Sequence, residues 1–78
     1  MPTVLRSGPY RLLIYSGDRN EPPHVHAERD TSQAKFWLQP VRLAWSRGFS
    51  GSELRKIEVV VTEHAQELLE AWNGFFSG

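Results

Sequence analysis

Residues 20–30, NEPPHVHAERD, carry two of the three histidines in a chain of 78 residues, spaced one residue apart and flanked by Glu21 and Glu28. On an extended strand, side chains at i and i+2 point to the same face about 6.6 Å apart. Two imidazoles so placed suit acid–base work on one small group such as a phosphate, one taking a proton while the other gives one. Lys35 would stabilise a developing anion, and Trp37 offers a plane on which a nucleobase can stack. In this reading His24, His26 and Lys35 are catalytic. Trp37, Arg47 and Glu28 bind substrate, with Arg47 and Lys35 taking phosphate. These are the parts of a metal-independent ribonuclease that needs no cofactor.

The same residues support two other readings. His24, His26 and Glu28 could supply three ligands to zinc or another divalent ion. Three ligands from one strand make a strained set, and His64 lies on the other side of the sheet. The plainest alternative is that the two histidines are polar positions on a strand surface with no chemistry. Pro22 and Pro23 stiffen the approach and fix where His24 emerges.

The elements that must position these residues follow from periodicity. HVHAE alternates, with His24, His26 and Glu28 on one face and Val25 and Ala27 on the other. AKFWL does the same, setting Ala34, Phe36 and Leu38 opposite Lys35 and Trp37. A hairpin with a four-residue connection pairs His26 with Trp37 and Ala27 with Phe36. A shift of two residues sets His26 against Lys35 instead and keeps the same faces. Upstream, Val4 and Leu5 belong to a first strand, and residues 10–15 form a second, apolar on both faces and so central. Pro40 breaks the ladder, and VRLAW over residues 41–45 is either an edge strand or an extended crossing segment.

The tail is a helix with a clear start. Ser50 is the N-cap, Glu53 completes a capping box, and Phe49 can staple to Leu54. Leu54, Ile57, Val61, Leu68 and Trp72 recur near the helical period, and His64 falls in that stripe as a buried neutral histidine. Asn73 and Gly74 end the helix, and Phe75 and Phe76 fold back as an apolar clip. The expected class is α+β: one domain over 1–78, a small antiparallel sheet of three to five strands with one long C-terminal α-helix across its apolar face.

Composition narrows the setting. The chain has no cysteine, which excludes disulfides and thiolate metal sites and suits a reducing cytoplasm. It has no 18-residue apolar run that would span a membrane, and its start lacks the apolar region of a signal peptide. Net charge is zero, but residues 1–49 hold seven Lys/Arg against four Asp/Glu, while residues 50–78 hold two against five. That balance is too mild to mark a nucleic-acid protein by charge alone. A Phe-rich terminus and an edge strand near 41–45 suit a homodimer.

Several blocks together resemble a known bacterial family, domain of unknown function 4160. They are MPTVLR with GPYR, YSGDRNEPPHVHAER, AKFWLQPVRLAWSRGFS, and ELRKIE with LLEAWNGFF, and they cover essentially the whole chain. The resemblance implies a small protein encoded beside a second short domain of unknown function (number 2442), an arrangement like a toxin–antitoxin module. The chain would then be the toxin-like component and its partner a small antitoxin-like protein; action on RNA is the expectation from the histidine chemistry above, not from the resemblance. Matching positions that would carry an activity are Pro22, Pro23, His24, His26, Lys35, Trp37 and Arg47. A second implied function is a non-catalytic module that binds its small partner through the exposed sheet face, with Trp37 and Trp45 as anchors.

Overall fold

The computed structural model describes residues 3–77; Met1, Pro2 and Gly78, which the expected domain over 1–78 includes, lie outside the described residues. Five strands come first, β1 (Thr3–Ser7), β2 (Tyr10–Leu13), β3 (His24–Arg29), β4 (Ser32–Leu38) and β5 (Val41–Arg47), with a short 3-10 turn between β2 and β3. They form one antiparallel meander in the order β1-β2-β3-β4-β5, so each strand pairs with its neighbour in sequence. Two helices follow, α1 (Gly51–Glu63) and α2 (Ala65–Phe76). The expected α+β class holds, with five strands and the C-terminal helix present as a pair.

The β3–β4 register decides what faces what. Of the two registers open to the sequence, the structure takes the one that sets His26 against Lys35, Ala27 against Ala34 and Val25 against Phe36. Only Asp30 and Thr31 connect the strands, and Asp30 has a φ of 54°. Asp tolerates that left-handed conformation better than most residues, which makes the short turn affordable in steric terms. One face then carries Leu12, Val25, Ala27, Ala34 and Phe36, all essentially without solvent exposure. Ile57, Val61 and Leu68 of the helices complete that core.

VRLAW resolves as part of β5, an edge strand that pairs with β4 throughout. Its register slips between the pairs Lys35–Trp45 and Phe36–Leu43, so Ala44 is an extra residue, a bulge. A similar slip interrupts β1 between Thr3 and Leu5. Gly48 follows β5 with φ 91°, and a Cβ there would lie 2.7 Å from the Ser32 hydroxyl oxygen and 3.2 Å from its Cα. Both the backbone conformation and the close approach demand glycine at this position.

The capping box at the start of α1 is complete: Ser50 Oγ accepts from the Glu53 N–H, and the Glu53 carboxylate accepts from the Ser50 N–H. Phe49 and Leu54 both pack against the core, as a staple requires. The helix does not run straight through His64. That residue has φ −111° and ψ 16°, and it separates α1 from α2. It follows Val59, Val60, Val61 and Thr62, four β-branched residues that favour a helix poorly. His64 therefore sits at the kink, about a third exposed and bonded to Glu67 at 2.8 Å, rather than buried in the apolar stripe.

The helix also outlasts the expected stop at Asn73 and Gly74. Phe75 and Phe76 are helical, because Phe76 packs on Trp72 one turn earlier with ring centroids 4.5 Å apart. Nothing lies within 4 Å of a Cβ built on Gly74, and its φ is ordinary, so no turn is imposed there.

Two outcomes follow from these elements. Gly48→Ala should destabilise the fold by about 2 kcal/mol, read as a lower denaturant midpoint with unchanged slope; an unchanged midpoint would remove the steric argument. Desolvation pushes the Glu53 carboxyl upward, but the Ser50 N–H, Arg29 and Tyr10 outweigh it and hold it below the usual carboxylate value. A depressed folded-state value adds stability above the ordinary range and loses it as pH falls through the folded value. Glu53→Gln should therefore flatten the acid side of the stability–pH curve.

Candidate functional site

The sheet's other face is built by the same alternation. Three cross-strand rows run along it: Arg11–Glu28–Gln33–Arg47, Leu13–His26–Lys35–Trp45 and His24–Trp37–Arg42. The proposed pair, Lys35 and Trp37 thus share one face as the periodicity requires. Their surroundings differ from those of an open strand surface.

His24 is fully buried, at 0% exposure. Its ring lies edge-on to Trp37 at 5.6 Å between centroids and tilted against Trp72 of α2 at 4.9 Å. The expectation of a surface histidine is corrected here: α2 runs far enough to lay Trp72 over the start of β3. His26 keeps 12% of its side chain exposed, with the Tyr15 ring tilted against it at 4.2 Å between centroids and Trp45 at 6.2 Å. An imidazole with no solvent access cannot reach a substrate directly, so the two histidines are not an equivalent acid–base pair.

What joins them is Asp18. Its Oδ2 lies 2.7 Å from His24 Nε2 and 2.8 Å from His26 Nε2. Asp18 ends a short 3-10 turn, Ser16–Asp18, between β2 and β3. The turn bends the connecting loop back over the sheet, and Pro22 and Pro23 close it. His24 Nδ1 donates to the Pro22 carbonyl at 2.9 Å, so the stiff segment orients the ring as well as delivering it.

Protonation at this centre is constrained. A carbonyl can only accept, so His24 Nδ1 carries the hydrogen. Nε2 then meets the Asp18 carboxylate either as a second N–H, making a fully buried imidazolium, or as a bare lone pair facing an anion. The first costs desolvation and the second is repulsive unless a cation joins the group. Burial holds His26 below the ordinary histidine value, and its bonds to Asp18 only partly oppose this. Burial acts on Asp18 in the opposite sense, yet hydrogen bonds from His24 and His26 hold its carboxyl low. At neutral pH the centre is an ionised carboxylate beside a neutral His26.

Glu28, the third ligand considered for a metal, points elsewhere. It accepts from Arg11 at 2.6 Å and from the Tyr15 hydroxyl at 2.8 Å. Desolvation and this carboxylate push the Tyr15 phenol up to about 12. The carboxylate that does meet both histidines was not among the residues singled out by spacing. Its one sequence signal is position: Gly17 and Asp18 form a turn pair just before the rigid EPP segment. Lys35 is paired with Glu21 and lies 4.6 Å over the Trp37 ring, so its charge is largely neutralised. Arg47 lies on the same face at the far end of β5, bonded to Gln33 at 3.2 Å. It stands two rows from His24 rather than beside it.

Asp18, His24 and His26 are therefore the chemical centre: two imidazole nitrogens and one carboxylate oxygen, all within 4.8 Å of one another. Within the described residues no helix is long and apolar enough to cross a membrane. No curated protein and no solved structure matches the chain. The sequence pattern of one family does, over residues 10–73, a span that includes β2 to β5, the Asp18 turn and both helices to Asn73. The chain belongs to the family described as Domain of unknown function (DUF4160).

Proposed function

We propose that the chain is a divalent-metal-binding domain whose ligands are Asp18, His24 and His26. The observation that carries this reading is the fixed orientation of His24. Its Nδ1–H is committed to the Pro22 carbonyl, leaving Nε2 directed at a carboxylate that is also met by a second imidazole. A ring N–H held by a backbone carbonyl is the usual support of a metal-ligating histidine. A bound cation relieves both the buried-charge problem and the lone-pair repulsion at once.

The ligand set replaces the single-strand set of His24, His26 and Glu28 with one whose carboxylate comes from a separate loop. That removes the strain of three ligands from one strand. Two histidines and one carboxylate suit zinc or another first-row divalent ion and leave coordination positions open for water or a substrate. His26 and Asp18 supply the exposed side of the centre, while Trp37 and Trp72 close the other. We also propose the toxin-like role that the family resemblance implies, with a small antitoxin-like partner, and rest it on this centre.

Protein prepared without a histidine tag and reconstituted with zinc, cobalt or manganese should retain about one equivalent of one ion. Asp18→Ala and His26→Ala should each lower metal affinity by about tenfold or more, while Glu28→Gln leaves it unchanged. Retention far below one equivalent for every ion, or equal loss with Glu28→Gln, would overturn the assignment. Growth arrest on expression of the chain alone, relieved by Asp18→Ala, is the expected outcome for the toxin-like role. Arrest that persists in a folded Asp18→Ala protein would separate that role from the centre.

A further inference from the structure

The outer face of β4 and β5 carries a second pattern that the Asp18 centre does not use. Its cross-strand pairs read Gln33–Arg47, Lys35–Trp45 and Trp37–Arg42, so indoles and cations alternate across the two strands. Trp45 is 43% exposed, one of the few large apolar side chains left open to solvent. Arg42 and Arg47 are exposed as well. Among the described residues neither guanidinium has a carboxylate within ion-pair distance, and Arg47 bonds only the Gln33 amide. Elsewhere on this face Arg11 is matched by Glu28 and Lys35 by Glu21, while Arg6 at the far edge lies across from Arg11 with no carboxylate among the described residues within ion-pair distance.

We propose that this face binds single-stranded nucleic acid, with Trp45 and Trp37 stacking bases and Arg42 and Arg47 meeting phosphates. The chemistry fits a polyanion with planar groups along it. Aromatic side chains two residues apart on neighbouring strands give successive bases a platform, and unmatched arginines give the backbone its counter-charge. A flat sheet face presents no helix or ribbon to insert in a duplex groove, which favours an unpaired strand.

One end of the strip is shaped for a single base. Pro22, Pro23, Trp37, Gln39, Pro40 and Arg42 line an open cleft of about 200 Å³. That is smaller than the pockets that enclose whole cofactors or drug-sized ligands. The Gln39 amide offers a donor and an acceptor to a base edge, and Arg42 stands where the attached phosphate would lie. None of the strip residues is a ligand at Asp18, although Trp37 and Trp45 pack beside His24 and His26, so the test is made with metal removed.

The test is fluorescence anisotropy with a labelled oligouridylate of about twelve nucleotides, on the full chain in the presence of a chelator. Binding is expected, and it should weaken as salt rises. Trp45→Ala and Arg42→Glu should each reduce affinity by about tenfold or more, with circular dichroism unchanged. Val59→Ala, at an exposed position on α1, should have no effect. The same sequence as DNA should bind too, since the contacts proposed are to bases and phosphates alone. No binding, or binding indifferent to Trp45→Ala and Arg42→Glu, would overturn it. The chelator keeps this outcome separate from the metal assignment, which stands or falls on metal retention.

Discussion

The register of β3 on β4 is the constraint from which the rest of the molecule follows. With side chains alternating at a period of two, a one-residue slip of β3 on β4 would carry Val25 and Ala27 to the outer face and turn both histidines toward the helix-covered core. The two-residue turn at Asp30 and Thr31 prevents that slip. Once the register is set, the helices have one apolar surface to cover, and Ile57, Val61 and Leu68 meet it. Burial of that surface is the main favourable term in so small a chain. The outer face receives the polar and aromatic side chains by the same rule, without any further instruction.

Within that frame, a buried imidazole sets the second condition. A polar ring taken wholly out of water costs about 1–3 kcal/mol if left unbonded. His24 meets this through Nδ1–H, which donates to the Pro22 carbonyl, while Nε2 is held against the Asp18 carboxylate, a contact that needs a second proton or a shared cation. Both partners lie in the loop between β2 and β3, so satisfying the ring also fixes the loop. Arg19 adds a contact from the same loop to the Phe76 carbonyl at the end of α2. The loop thus links the sheet's outer face to the helical layer, and Trp72 closes the gap between them over His24.

Much of this was legible in the residues. Alternation gave both faces of the β3–β4 hairpin, and the Ser50 and Glu53 pair marked the start of α1. Both are signals in which neighbouring residues decide the outcome. The kink at His64 was harder, because periodicity counts apolar positions and does not weigh four β-branched residues in a row. The continuation through Phe75 and Phe76 was missed for a related reason: Gly74 reads as a stop, but an aromatic pair one turn apart holds the helix past it. Asp18 carries the weakest local signal of the three. It lies six residues from His24 in an irregular loop, and only the path imposed by Pro22 and Pro23 brings it back. Burial of His24 depended on Trp72, nearly fifty residues away, and no local pattern encodes such a contact.

The edges of the sheet bear on how the chain can meet other molecules. Both β1 and β5 end the meander, and each carries a register slip that bends it away from regular pairing. Bulges at exposed edges oppose the addition of a further strand. A homodimer or a partner complex formed by extending the sheet is therefore disfavoured at both ends. The remaining accessible surface with chemistry on it is the outer face, and that face is divided. On the β2–β3 side the charges are matched and partly buried around Asp18, Arg11 with Glu28 and the histidines with the carboxylate. On the β4–β5 side two guanidiniums lack a carboxylate partner among the described residues and two indoles lie beside them. Matched charge holds a structure or a metal in place, whereas unmatched charge beside exposed aromatic surface calls for a partner from outside. The division is a consequence of where the acids lie in the sequence: Asp18, Glu21 and Glu28 all precede β4, and no acid occurs between Lys35 and Arg47.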